Sequence, residues 1–137
     1  MKLTTRSRYG LRAIVYVASQ PKDSIVSITE ISQELLLSES YLEQLFRLLR
    51  KDGFLKSIRG VNGGYVLAKP ADQISVLELL NTLEGDFWLA DCVVAGDCPG
   101  GRTNCATRYI MSKINEAIYS SVKDIYLSDL VERESSI

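Results

Sequence analysis

"SESYLEQLFRLLRKDGFLKSIRGVNGGYVLAKP", residues 38–70, sets a two-faced helix directly before a glycine-tipped hairpin. Tyr41, Leu42, Leu45, Leu48 and Leu49 fall on one side of a 3.6-residue period and are expected to pack inward. Ser40, Glu43, Gln44, Arg47 and Lys51 fall on the other side. Ser38 or Ser40 supplies the N-cap and Gly53 the stop. A helix face offering hydroxyl, carboxylate, amide and guanidinium groups can address base edges and phosphates together, and a solvated amphipathic helix has the same pattern. The second half of the stretch separates these readings. Two β-prone runs, Phe54–Ile58 and Tyr65–Lys69, flank Asn62-Gly63-Gly64. Asn-Gly between such runs signals a hairpin because the turn needs positive φ. Arg59 stands at the tip, placed to enter a minor groove or bind phosphate.

Upstream, a first helix is expected over Ser7–Ser19, with Tyr9, Leu11, Ala13, Ile14, Val17 and Ala18 as a broad apolar face and Pro21 just beyond its end. "SITE", Ser27–Glu30, reads as a capping box opening a short second helix marked by Ile28, Ile31 and Leu35. A break follows at Leu36–Leu37. Helix, short helix, capped polar-faced helix and basic hairpin, in that order, make a winged helix-turn-helix. The fold expected is mainly α with a small β-hairpin.

Composition bounds the rest. A chain of 137 residues, 46% hydrophobic and 24% charged, forms one domain of ordinary size or a small domain with an appended helix. It holds no run of about 18 apolar residues, so no membrane span is expected. The N-terminus starts basic and turns apolar, in the manner of a signal peptide. Its apolar core, Ala13–Ala18, is too short for one, Arg12 interrupts the approach, and a cytoplasmic protein is expected. Histidine is absent, which removes Ser/His and Cys/His nucleophile pairs and every His-containing zinc set, so no enzyme is expected. Net charge is −1, but it is unevenly spread: residues 1–70 carry 11 Lys and Arg against 6 Asp and Glu, and residues 71–137 carry 5 against 11. A basic half joined to an acidic half suits a molecule that meets a polyanion at one end.

In the C-terminal half, Ser75–Glu78 forms another capping box, with Val76, Leu79, Leu80 and Leu83 on one stripe and an end at Gly85. A long helix is expected over Thr103–Asp124, where Ile110, Ile114, Ala117/Ile118, Ser121/Val122 and Ile125 make a near-heptad seam. The seam is long and one-sided for so small a domain to cover; an intramolecular core helix stays open, and the simplest partner is the same helix of a second copy. Such a homodimer would set two recognition helices about one duplex turn apart on a pseudo-palindrome. The organisation expected is therefore a DNA-binding domain over residues 1–70, a packing helix over 71–87, a cysteine-containing loop over 88–106, and a dimerisation helix with C-terminal segment over 107–137.

The loop carries all three cysteines, Cys92, Cys98 and Cys105, among Gly96, Pro99, Gly100 and Gly101. Thiolates select zinc and iron–sulphur centres over hard cations. Structural zinc favours four protein ligands in close pairs, which this spacing lacks, whereas an iron–sulphur cluster tolerates a non-cysteine fourth ligand. A thiol sensor that titrates by oxidation and inert cysteines also remain open. A thiol oxidoreductase does not fit, because there is no C-x-x-C and no base.

"MKLTTRSRYGLRA", "SESYLEQLFRLLRKDGFLKSIRG" and "GGYVLAKPADQISVLELL" resemble the winged-helix regulators typified by IscR, NsrR and CymR. The resemblance covers nearly the whole chain. It implies a homodimeric transcription regulator of double-stranded DNA, a repressor, whose third helix enters the major groove and whose wing lies in the minor groove. By that resemblance Ser40, Glu43 and Gln44 read bases, Arg59 and Gly60 belong to the wing, and Ser38, Tyr41, Arg47, Lys51 and Lys56 contact the backbone. Arg6 and Arg8 are added from charge and position alone. The resemblance further implies an iron–sulphur cluster, 2Fe–2S ahead of 4Fe–4S, on Cys92, Cys98 and Cys105, sensing iron–sulphur status, oxidants or nitric oxide. Two positions depart from it. Arg108 stands where IscR-type proteins place a histidine ligand, and Arg8 where NsrR-type proteins draw an aspartate from the first helix. The second cysteine gap is also one residue longer than the usual pattern. The fourth ligand is thus unassigned among Asp91, Asp97, Asn104, an acid of the partner subunit and an external thiol. The alternative is a cluster-free regulator controlled by thiol oxidation, zinc or a protein partner, as CymR-like relatives are controlled by a partner enzyme.

Overall fold

Thr4 opens helix α1 (Thr5–Ser19) in the computed structural model, which describes residues 3–85, 93 and 104–136. The helix starts two residues earlier than expected because the Thr4 hydroxyl caps it, accepting from the Arg6 N–H at 3.3 Å. Helix α2 (Ile28–Leu35) is capped by Ser27, whose hydroxyl accepts from the Glu30 N–H at 3.1 Å. The returning half of the expected capping box is missing. The Glu30 carboxylate instead accepts from the Tyr16 hydroxyl on α1 at 2.7 Å, so a tertiary donor has displaced the local one. Helix α2 ends at Leu36, a non-glycine residue in the left-handed region (φ 55°).

Ser38, not Ser40, caps helix α3 (Glu39–Lys51), accepting from the Tyr41 N–H at 3.1 Å. Leu42, Leu45, Phe46 and Leu49 are buried. Leu48, expected among them, is half-buried, and Phe46 takes the inward position with its ring edge-on to Tyr65 at 4.7 Å.

Strands β1 (Leu55–Ile58) and β2 (Gly64–Leu67) pair antiparallel from Leu55↔Leu67 to Ile58↔Gly64, a narrower hairpin than the sequence suggests. The positive φ at its tip belongs to Gly60 (φ 115°), not to Asn62 or Gly63 as expected. Gly63 donates its N–H to the Gly60 carbonyl at 3.0 Å, closing the turn. Gly63 and Gly64 are required for space: a Cβ would overlap the Ile58 carbonyl oxygen at the first and the Val26 carbonyl oxygen at the second. That close approach exists because Val26 and Tyr65 exchange two backbone hydrogen bonds, 3.0 and 2.8 Å, which fasten β2 to the segment before α2.

After a short 3₁₀ turn (Ala71–Gln73), helix α4 (Val76–Glu84) shows the complete capping box, with Ser75 and Glu78 bonding reciprocally at 3.1 and 3.3 Å. It buries Val76, Leu79, Leu80 and Leu83 and ends at Gly85 (φ 76°). Helix α1 crosses it so closely that a Cβ on Gly10 would lie 2.6 Å from Leu83. Helix α5 (Ala106–Val122) is shorter than the expected Thr103–Asp124; Thr103 lies outside the described residues. The C-terminal segment, assigned no element from the sequence, forms helix α6 (Leu127–Ser135). Leu127 is fully buried and donates its N–H to the Ile74 carbonyl at 2.8 Å. Ile74, Leu79, Leu83 and Leu127 thus share one core with Ile14, Ile31, Leu42 and Phe46, on both sides of residue 70.

Candidate nucleic-acid interface

The outer side of α3 carries a row of exposed polar groups. Ser40, Glu43, Gln44 and Arg47 are exposed and, with Tyr41, Leu45, Leu48 and Arg6, line a shallow depression of about 410 Å³. The structure therefore gathers five of the sequence-selected side chains of α3, Ser40, Tyr41, Glu43, Gln44 and Arg47, together with Arg6 from α1. Lys51 is exposed at the last position of the same helix. Lys56, Arg59 and Gly60 are exposed along β1 and the hairpin tip. Ser38 is spent on the α3 cap, and the Tyr41 hydroxyl donates to Thr5 Oγ1 at 3.2 Å. Arg8 does not reach the depression; its guanidinium lies 5.4 Å from the centre of the Tyr9 ring, a cation–π contact.

Sequence reasoning passed over Arg50, whose Nη1 donates to Ser57 Oγ at 3.2 Å and ties α3 to β1. It also passed over Glu84, which accepts from the Thr4 N–H (2.8 Å), the Thr4 hydroxyl (2.7 Å) and the Ser7 hydroxyl (2.6 Å). Burial pushes the Glu84 carboxyl up, but the bonds from Ser7 and Thr4, aided by the Arg6 charge, outweigh it and hold the group below its ordinary value. No periodicity signals a contact across 77 or 80 residues.

Cys105 is the N-cap residue of α5 and half-buried, and Asn104 beside it is exposed. Cys92, Cys98, Asp91 and Asp97 lie outside the described residues. Among the described residues no three His, Cys, Asp or Glu side chains are gathered as if for a metal, and no helix is long and apolar enough to cross a membrane. On α5, Ile110 and Ile114 of the expected seam stay 48% and 43% exposed, and Ile118 and Val122 are half-buried.

The fold has close counterparts. The family described as "Rrf2: Iron-dependent Transcriptional regulator" matches residues 3–133. This chain belongs to the Rrf2 family of transcriptional regulators. Protein rrf2 of Nitratidesulfovibrio vulgaris is 38% identical over 137 residues, covering 100% of this chain and 91% of that one. The HTH-type transcriptional regulator IscR of Cronobacter sakazakii is 35% identical over 134 residues, 98% of this chain and 82% of that one. Among solved structures, CymR, the global cysteine regulator of B. subtilis, superposes with a TM-score of 0.80 at 34% identity, covering 97% of this chain and 98% of that one. The winged-helix fold follows, six helices with one two-stranded hairpin among the described residues. Membership of the Rrf2 family makes the chain a DNA-binding transcription regulator and not an enzyme.

Proposed function

We propose that this Rrf2 regulator binds a pseudo-palindromic operator as a homodimer in the cytoplasm, represses from it, and senses iron–sulphur status, oxidants or nitric oxide through its three cysteines. The observation that carries the DNA face is the depression where Ser40, Glu43, Gln44, Arg47 and Arg6 meet beside an exposed wing. A hydroxyl, a carboxylate and an amide suit base edges, with Glu43 accepting from a cytosine amino group and Gln44 pairing with adenine. Arg6, Arg47, Lys51 and Lys56 supply the phosphate contacts that set register, and Arg59 with Gly60 carries the wing into the minor groove. Homodimerisation is supported by the uncovered Ile110 and Ile114 on α5, a face that a two-fold partner would bury.

Cys92, Cys98 and Cys105 are soft thiolate donors suited to an iron–sulphur cluster, and no histidine exists to complete the set. When bound, the cluster supplies iron that oxidants and nitric oxide attack. This chain's own part would be to hold it at the start of α5, where Cys105 is the N-cap residue, so that its loss would bias two arrangements of differing DNA affinity. Visible absorption with iron and sulphide assays on oxygen-free protein, beside Cys92→Ala, tests this. Sulphide-matched iron with a visible band that the variant bleaches is the expected result; a colourless protein after reconstitution removes the cluster. Arg108, a residue that cannot ligate, favours the second reading, a cluster-free regulator governed by thiol oxidation, zinc or a protein partner.

A further inference from the structure

We infer that Glu84 is a positioning residue for DNA binding: from the end of α4 it holds the first turn of α1, and with it Arg6, against the recognition helix. The inference rests on the proposed recognition face. Thr4, Thr5 and Arg6 are all exposed, so of the residues at the start of α1 only Ser7 is held by burial. Two polar ties hold the turn. On one side, Oε1 of Glu84 gathers the Thr4 N–H, the Thr4 hydroxyl and the Ser7 hydroxyl within 2.6–2.8 Å. On the other, Tyr41 of α3 donates to Thr5 Oγ1 at 3.2 Å, and its ring stands edge-on to Tyr9 at 6.2 Å. Arg6 lies between these ties in sequence and lines the depression with Ser40, Glu43, Gln44 and Arg47.

The first turn of α1 has no acidic residue of its own, so Glu84 also supplies the negative charge that a helix N-terminus favours. Glu84 does not line the depression, so its effect on DNA passes through Arg6. Were the carboxylate removed, the turn would fray and the guanidinium would lose its fixed bearing on a phosphate.

The experiment is a double-mutant cycle on the full chain, using a duplex that the unaltered protein has selected from a random pool. Affinities are taken per active protein, with melting temperatures measured separately. Arg6→Ala alone and Glu84→Ala alone should each weaken binding by roughly tenfold, and the pair together little more than either. Glu84→Gln, which keeps an acceptor oxygen, should stay within about threefold of the unaltered protein. Glu84→Asp keeps the charge but withdraws the carboxylate by one methylene, and should repeat the alanine loss even if Glu84→Ala fails to fold. Multiplying losses would make Glu84 a structural residue only, and tighter binding by both Glu84→Ala and Glu84→Gln would reduce its effect to charge; either overturns the inference. If Arg6→Ala is silent while Glu43→Ala still changes the selected sequence, this inference fails and the recognition face survives. If both are silent, the face itself is misplaced and the inference falls with it.

Discussion

Helix α3 hides Leu42, Leu45, Phe46 and Leu49 and presents Ser40, Glu43, Gln44 and Arg47, whereas α5 buries Asn115 and leaves Tyr109, Ile110 and Ile114 outside. Both helices are amphipathic in sequence, and among the described residues α3 buries its apolar side while α5 leaves much of its own exposed. The contrast separates two kinds of exposed surface. Polar groups on a helix whose apolar side is fully used are available for a polyanion, while apolar groups on a helix that packs little against its own domain need another protein surface.

Several substitutions press on that contrast, beginning with the most damaging. Phe46→Ala empties the centre of the core under α3 and should lower unfolding free energy by about 3–5 kcal/mol in denaturant titrations, taking DNA binding with it. Ile114→Asp should leave the fold intact but raise the dimer dissociation constant by roughly 100-fold in sedimentation, because two-fold symmetry places the charge twice in the interface. A variant that stays dimeric at low micromolar concentration would remove α5 as the subunit contact. Glu43→Ala should relax preference at one operator position by about 1–3 kcal/mol with melting temperature unchanged, read from selected-duplex sequencing. An unaltered preference would place base reading elsewhere.

Smaller effects follow at the edges of α2. Leu36 is 88% exposed at φ 55°, so Leu36→Gly relieves left-handed strain without uncovering anything and should stabilise by about 0.5–1 kcal/mol. The Tyr16 phenol is pushed up to about 12, first by its hydrogen bond to Glu30, then by burial and by the charges of Glu30 and Glu34. A group raised on folding contributes stability that is complete below its unfolded value and fades as pH rises through the folded one. The melting temperature of the unaltered protein should therefore decline between about pH 10 and pH 12 more than that of Tyr16→Phe. Parallel curves would break the Tyr16–Glu30 link.

The sequence disclosed what repeats locally. Alternating faces, serine caps and glycine stops predicted α1 through α4 and the hairpin, because those signals act within one or two turns. The misses are places where distant groups intervene. Glu30 abandons its local capping role for Tyr16, Glu84 reaches 77 and 80 residues back to Ser7 and Thr4, and Phe46 displaces Leu48 from the interior because Tyr65 offers a ring to pack on. Helix α6 escaped notice because Leu127, Leu130 and Val131 give it only a short apolar stripe, meaningful once Ile74 and α1 are in place. At the hairpin, glycine content was correctly read as a turn, but the left-handed residue is Gly60, while Gly63 and Gly64 serve close backbone approach. Of the candidate interface, the exposed polar side of α3 was legible from its period; Arg6 was suggested only by charge and position, since its place beside α3 depends on the crossing of two helices.

The paired hydrogen bonds between Val26 and Tyr65 have a mechanical consequence for the wing. They stitch the tip end of the ladder, one pair short of Ile58↔Gly64, to the segment before α2, so the paired strands cannot swing and only the five residues between Ile58 and Gly64 remain to bend. Amide exchange should divide accordingly, slow at Tyr65 and fast at Val61. On the proposed reading, a wing so anchored follows variation in groove width by flexing its tip alone, and any larger reorientation on DNA has to carry the whole chain along.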